Sequence, residues 1–347
     1  MGGKELSLST PTKTNRVLLP QPIEEEAVTR LKSAGVEVIV APDKKPEIVA
    51  PLLNGVQGVL LRTGIFFNKA LMEQADDLWV IARTGAGVDN VDVPAATEKG
   101  ILVTCVAGAN TRTVAEHTLA LIMALMKQLP RLDREVRQDN FGIRYKNLPR
   151  DLTGKTVGLV GLGKIGSELA RICHQSFDMH ILAHDPYLPP EVQNHFKSWV
   201  EFCELERLLK TSDVISLHIP LSPATQKMIG ARELGWMKPS AYLVNASRGG
   251  VIDEAALIQC LKDRRIAGAG LDVFAQEPPE KDSPLKKLDN VILTPHIAGL
   301  TLECGIRVSV LAVQAVLDVF QGKKPNGIVN PEVLTQPRWK GILSDSK

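Results

Sequence analysis

The chain has 347 residues, enough for two domains of ordinary size, and 44% of them are apolar, enough for sizeable cores. Formal net charge is only +2, with Lys and Arg spread along the chain, so there is no electrostatic case for a nucleic-acid partner. Five cysteines (Cys105, Cys173, Cys203, Cys260, Cys304) are scattered without a C-x-x-C pair, so no zinc site, other metal or disulfide framework is expected.

The first fifteen residues are polar and read as a tail. They hold no apolar run of the signal-peptide kind, and Leu6 stands where a myristoylation signal after Gly2 requires Ser or Thr. Short apolar runs then follow at residues 17–19, 36–40, 58–61, 79–82 and 101–104. Helical patterns such as 23–33 and 69–75 lie between them. Such alternation predicts βαβ units and a parallel sheet, giving a first α/β domain over residues 16–109. A helix is predicted from about residue 111 to 129, ended by Pro130. Its apolar stretch, 114–126, is too short to span a bilayer and contains Glu116 and His117. It reads as a buried helix or as part of a subunit interface. The expectation is a soluble, cytoplasmic protein with no membrane partner. A polar, irregular segment occupies 139–151.

The next stretch is the most specific. Residues 156–160 form an apolar run, followed by Gly161-Leu162-Gly163-Lys164-Ile165-Gly166 and a helical pattern. A second apolar run, 180–184, ends at Asp185. Strand, glycine turn, helix, strand and acid make the dinucleotide-binding fingerprint in its required context. Gly161 permits the tight turn, Gly163 lets backbone approach a pyrophosphate, and Gly166 brings helix against strand. The N–H groups around Lys164 and Ile165 face the phosphates. The Asp185 carboxylate accepts both ribose hydroxyls and repels a 2′-phosphate, so the predicted cofactor is NAD rather than NADP.

Further strands are predicted at 214–217, 242–244, 267–271 and 291–293, then a long helix over 302–320. That helix should return to the first domain. The predicted architecture is therefore two doubly wound, Rossmann-like or flavodoxin-like α/β domains, each built on a parallel sheet. One is a discontinuous substrate domain (16–109 plus 301–335), the other a dinucleotide domain (110–300), with tails at 1–15 and 336–347. Two chain crossings make a hinge, with a cleft for a small ligand.

Three polar residues sit at or just past predicted strand ends: Arg248, Glu277 and His296. In an open parallel sheet, ligands bind beyond the carboxyl ends of the strands, so all three should gather near the nicotinamide. Oxidation at a secondary alcohol needs a base for the hydroxyl proton, and His suits that at neutral pH. A carboxylate can orient that ring and favour its charged form, a role open to Glu277. An arginine gives two parallel N–H bonds to a carboxylate, a role open to Arg248.

With these residues in place, the chain resembles the D-isomer-specific 2-hydroxyacid dehydrogenase family. The matching segments include Arg83-Thr84-Gly85-Ala86-Gly87-Val88-Asp89-Asn90-Val91-Asp92, the Gly161–Gly166 loop, Leu217-His218-Ile219-Pro220-Leu221 and Asn245-Ala246-Ser247-Arg248-Gly249-Gly250-Val251-Ile252-Asp253. Gly270-Leu271-Asp272-Val273-Phe274 with Glu277-Pro278, and Thr294-Pro295-His296-Ile297-Ala298-Gly299, complete them in family order. The resemblance implies a 2-hydroxyacid or 2-oxoacid substrate, a homodimer, and a catalytic trio of Arg248, Glu277 and His296. It implies backbone contacts to the substrate carboxylate from Ala86 and Gly87. Cofactor contacts would come from Ile219, Ala246, Asp272 and Gly299, with Asp272 meeting the carboxamide. Arg62 and Arg83 resemble the arginines that hold the distal phosphate in D-3-phosphoglycerate dehydrogenases; ordinary solvent-facing arginines, or for Arg83 contact with the substrate carboxylate alone, are the alternatives. The chain ends without room for such enzymes' regulatory domain, so serine feedback is not expected. The loop Ala298-Gly299-Leu300-Thr301 departs from the commoner small-residue form, which leaves 3-phosphoglycerate/3-phosphohydroxypyruvate and glycerate/hydroxypyruvate both open. An NAD(H)-sensing corepressor on the same fold is the alternative of a different class. Formate-oxidising relatives, which carry Gln where Glu277 stands, are disfavoured, and phosphite-oxidising ones stay open.

Overall fold

A computed structural model describes residues 14–146 and 148–343. The chain divides into two compact units, Met1–Asn110 with Leu300–Lys347, and Thr111–Gly299.

The first unit carries a five-stranded sheet: β1 (Arg16–Leu19), β2 (Glu37–Val40), β3 (Gly58–Leu61), β4 (Val80–Arg83) and β5 (Leu102–Cys105). Its order is β2-β1-β3-β4-β5, and all pairs are parallel. The strands are apolar runs because both faces are covered. Successive side chains point to opposite faces, so Leu18, Val59, Leu61, Ile81 and Val103 enter one core while Val17, Leu19, Leu60, Val80 and Leu102 enter another. Each fully buried Leu or Ile contributes about 1.5–3 kcal/mol. The helix Leu302–Phe320 returns from beyond the second unit and packs Val313, Val316 and Leu317 into that second core. At Gly58 a Cβ would lie 3.1 Å from Val316 Cγ1, so the missing side chain lets helix and sheet approach. Residues 336–343, expected to belong to a tail, are instead packed on this unit. Trp339 is buried, and its Nε1–H donates to Gly100 O at 2.9 Å. A buried indole with a partner for its one donor is a stable anchor.

The second unit carries β6 (Thr156–Val160), β7 (His180–His184), β8 (Val200–Phe202), β9 (Val214–Leu217), β10 (Tyr242–Asn245), β11 (Gly268–Leu271) and β12 (Val291–Leu293). All pairs are parallel, in the order β12-β11-β10-β9-β6-β7-β8. The chain reverses its direction of winding at β6, between β7 and β9, and crevices at such switch points take dinucleotides. The strand β8 is only three residues long, Val-Glu-Phe, too short for its apolar–polar alternation to stand out, and is absent from the sequence reading.

The predicted helix at 111–129 ends earlier, at Met126. Gln128 adopts φ 53°, and a second helix, Leu129–Arg137, starts with Pro130 in its first turn. Proline belongs there because a first-turn N–H has no intrahelical acceptor, so Pro130 opens a helix rather than ending one. The helix Thr111–Met126 buries Val114, Ala115, Leu121, Ile122, Leu125 and Met126 in its own unit's core. That face is thus packed into its own unit. No helix among the described residues is long and apolar enough to cross a membrane.

Candidate active site

The glycine loop follows β6. Gly161 has φ +93°, and a Cβ there would lie 2.7 Å from His218 O and 2.8 Å from Ile219 Cγ2. Only glycine fits both the conformation and the space, and Ile219 is placed against the loop. A Cβ on Gly166 would lie 2.3 Å from Gly161 O, which explains the third glycine as close helix–turn packing. Gly163 is different, because a Cβ there would meet nothing within 4 Å. Space is open at the one glycine assigned to a ligand's approach. Gly163 is the N-cap of the helix Lys164–Phe177 and brings no side-chain cap to it. Those features fit a dinucleotide pyrophosphate. His218 Nε2 lies 2.9 Å from Ser216 Oγ, and burial pushes the imidazole down to about 4, so this neighbour of the loop is neutral at pH 7.

Asp185 follows β7. Its Oδ2 accepts from Leu162 N–H at 2.8 Å and its Oδ1 from Tyr187 N–H at 3.2 Å. The acid is therefore bonded directly to the glycine loop, a link that the spacing alone does not reveal.

The three predicted polar residues come from adjacent strands β10, β11 and β12, at the sheet edge that also bears the glycine loop. His296 Nδ1 and Glu277 Oε2 are 2.6 Å apart, with each side chain about one-third exposed (36% and 33%). Glu277 Oε1 accepts from Phe274 N–H at 3.1 Å, which fixes the carboxylate plane. Arg248 donates through Nη1 to Ser247 O at 2.7 Å. The turn carrying Ala246 and Arg248 is organised by buried Asn245. Its Oδ1 accepts from Ser247 N–H and Oγ–H, and its Nδ2 donates to Arg248 O. Gly249 then clamps the turn onto the next loop, since a Cβ there would lie 1.9 Å from Phe274 O. Sequence reading missed Asn245 and Gly249. The available signal was their place around a candidate arginine, Asn245 three residues before Arg248 and Gly249 directly after it.

Asp272 directly follows β11. It is fully buried, with Oδ1 accepting from Thr294 Oγ1 (2.6 Å) and Ile297 N–H (2.9 Å), and Oδ2 from Ala298 N–H (2.9 Å). It holds the loop of His296, which runs on through half-buried Gly299.

In the first unit, Arg83 is also buried rather than presented to a ligand. Its Nε donates to Gly87 O at 3.0 Å and its Nη1 to Leu61 O at 2.9 Å. It shapes the loop that carries Ala86 and Gly87. Arg62 follows β3 and is partly exposed. Its Nη1 donates to Pro22 O at 3.1 Å and pairs with Glu24 Oε1 at 3.4 Å. Glu24 is held in turn by Ser309 Oγ–H, at 2.5 Å from Oε2.

Comparison with known proteins places the chain. The model of the D-isomer specific 2-hydroxyacid dehydrogenase NAD binding domain matches residues 119–298. A glyoxylate reductase from Thermofilum pendens is 42% identical over 267 residues, covering 76% of this chain and 78% of that protein. A D-3-phosphoglycerate dehydrogenase from Archaeoglobus fulgidus is 36% identical over 315 residues, covering 91% of this chain and 59% of that protein. The chain therefore spans about three-fifths of the length of such relatives. The solved structure of the TT0316 protein from Thermus thermophilus is similar with a TM-score of 0.84 and 33% identity, covering 90% of this chain and 99% of that one. The chain belongs to the D-isomer-specific 2-hydroxyacid dehydrogenase family, and its second unit holds the family's NAD-binding domain.

Proposed function

We propose that the protein is an NAD-dependent oxidoreductase acting at C2 of a short D-2-hydroxyacid or the matching 2-oxoacid. The observation that carries this reading is the 2.6 Å contact between His296 and Glu277, at the sheet edge bearing the glycine loop and Arg248. The bound nicotinamide supplies hydride to C2, or accepts it. His296 gives the proton to the C2 oxygen in reduction and takes it in oxidation. Because Glu277 occupies Nδ1, Nε2 is the atom left to face substrate. Arg248 offers its guanidinium fork to the 2-oxo-carboxylate. Asp185 accepts from the ribose hydroxyls and repels a 2′-phosphate, which favours NAD over NADP.

For the substrate we infer glyoxylate or hydroxypyruvate ahead of the phosphorylated compound. Arg83 spends its guanidinium inward, and Arg62 carries Glu24 beside it. A dianionic phosphate drawn to Arg62 would meet that carboxylate, a like-charge contact. The similarity to a glyoxylate reductase supports the same choice. The test is an NADH-oxidation screen over glyoxylate, pyruvate, hydroxypyruvate and phosphohydroxypyruvate. A strong preference for the phosphorylated compound, lost in Arg62→Ala, overturns the substrate assignment. Wild-type turnover in His296→Ala overturns the mechanism.

We infer further that the protein is a homodimer. Leu129, Val136, Phe141, Tyr145 and Leu148 are 52–75% exposed and all fall in one twenty-residue stretch of the second unit, a supply of exposed apolar surface that supports association. Light scattering that returns a monomer mass for the wild type removes this inference.

A further inference from the structure

We propose that His117 is a positioning residue for the reaction, acting on His296 through Thr294 and Asp272; this rests on the reading above in which His296 exchanges the substrate proton. The backbone of His296 has φ +52°, the left-handed region that residues with a Cβ avoid. Something outside the loop must hold it there. Asp272 does so with bonds to three successive residues. Its backbone O accepts from His296 N–H at 2.7 Å, and its two carboxylate oxygens accept from Ile297 and Ala298 N–H at 2.9 Å each. The position of the imidazole therefore follows the position of that carboxylate.

The carboxylate is set by Thr294, whose Oγ1 lies 2.6 Å from Oδ1. A hydroxyl has one proton to give. With that proton on Asp272, Thr294 meets His117 Nε2, 3.1 Å away, only as an acceptor. His117 Nε2 must therefore carry the hydrogen. The same nitrogen is 3.6 Å from Asp272 Oδ1, so its positive end also faces the acid. His117 sits on the helix Thr111–Met126, which is packed into the core through Val114, Leu121 and Ile122. The chain of contacts thus runs from a rigid helix through an N–H, a hydroxyl and a buried carboxylate to the loop of His296. Every member lies in the second unit.

Four variants of the full chain test this: His117→Leu, His117→Gln, Thr294→Val and the His117→Leu/Thr294→Val double. Steady-state kcat and KM are measured with NADH and the best 2-oxoacid of the screen, and NADH dissociation constants by fluorescence. His117→Leu and Thr294→Val should each lower kcat by about tenfold while KM and NADH affinity stay within about twofold, the signature of a misplaced reacting group. The double variant should be no worse than Thr294→Val alone, since both break one chain. His117→Gln, which can place an amide N–H near the same point, should recover kcat to within about threefold of wild type. A His117→Leu kcat within about twofold of wild type, multiplicative losses in the double, or His117→Gln as impaired as His117→Leu each overturn the proposal. Should His117→Leu fail to fold, Thr294→Ser against Thr294→Val carries the same comparison, with Ser active and Val impaired. His296→Ala is run alongside. If it keeps turnover, the reading of His296 itself fails; if it loses turnover while His117→Leu keeps it, only the positioning role fails.

Discussion

Gly249→Ala is the sharpest test of how the active-site edge is held together. The added Cβ would lie 1.9 Å from Phe274 O, 2.0 Å from Phe274 C and 2.6 Å from Ala275 N. These are backbone atoms and cannot rotate aside. A contact of at least about 3 Å is needed, so the turn of Arg248 and the loop of Glu277 must part by about 1 Å. Asn245 holds the first turn from beneath, and the Glu277 carboxylate is bonded to Phe274 N–H. The separation therefore moves the arginine away from the carboxylate–imidazole pair rather than moving all three together. A misplacement of this size costs about a hundredfold in rate, and the overpacking destabilises by about 1–3 kcal/mol. The glycine loop after β6 lies two strands away, at the end of a strand paired with β9 and not with β10, so its hold on the pyrophosphate should be kept, and NADH binding should weaken far less than turnover, through Ala246 on the displaced turn. The assay pairs steady-state NADH oxidation, using the best 2-oxoacid of the screen, with NADH fluorescence titration and a thermal melt. Turnover within about threefold of wild type at an unchanged KM would refute the reasoning, because the two loops would then be shown not to act as one frame.

Three further expectations concern charge and burial. Glu277→Gln removes the charge 2.6 Å from His296 Nδ1, so the pH profile of 2-oxoacid reduction should move to lower pH; an unmoved profile would separate the two residues functionally. Glu168 is bonded to Arg171 and to Arg112, which hold its carboxyl down at about 2. A depressed carboxyl stabilises the fold above its ordinary value of 4.5 and loses that contribution as pH falls through about 2. Glu168→Gln should then cost about 1 kcal/mol at pH 7, discounted for solvent screening, and the gap in urea midpoints between variant and wild type should close across that acid window. A gap that persists below it would rule out charge as the cause. Finally, Cys173, Cys260 and Cys304 are buried, and burial pushes the Cys173 thiol up to about 12. A thiol reagent on the native protein should label only Cys105 and Cys203, and labelling of Cys173 without unfolding would contradict the packing.

The contrast between the readable and unreadable parts of this site has a physical cause. The glycine loop, Asp185 and the three polar residues past β10, β11 and β12 were legible because each is fixed by chain order. A parallel strand delivers whatever follows it to one edge of the sheet. What sequence order does not carry is a hydrogen bond across 177 residues, such as the one from His117 to Thr294. Charge is equally silent about direction. Arg83 and Asp272 have the residue types expected of ligand contacts, yet both turn inward, because backbone groups left unpaired in a tight loop compete for them and burial makes leaving such groups unpaired costly. Pro130 fails for a related reason, since proline marks a helix boundary without stating which helix it belongs to, and only the φ of +53° at Gln128 shows that it opens the next one. The inward-turned residues lie directly beneath the outward-facing ones. Arg83 braces the loop of Ala86 and Gly87, Asn245 the turn of Arg248, and Asp272 the loop of His296. A side chain that must hold a small acid in one geometry needs its own loop held first. The supporting polar residue is therefore found on a strand's last residue or the one after it, where it is both buried and next to the loop it serves.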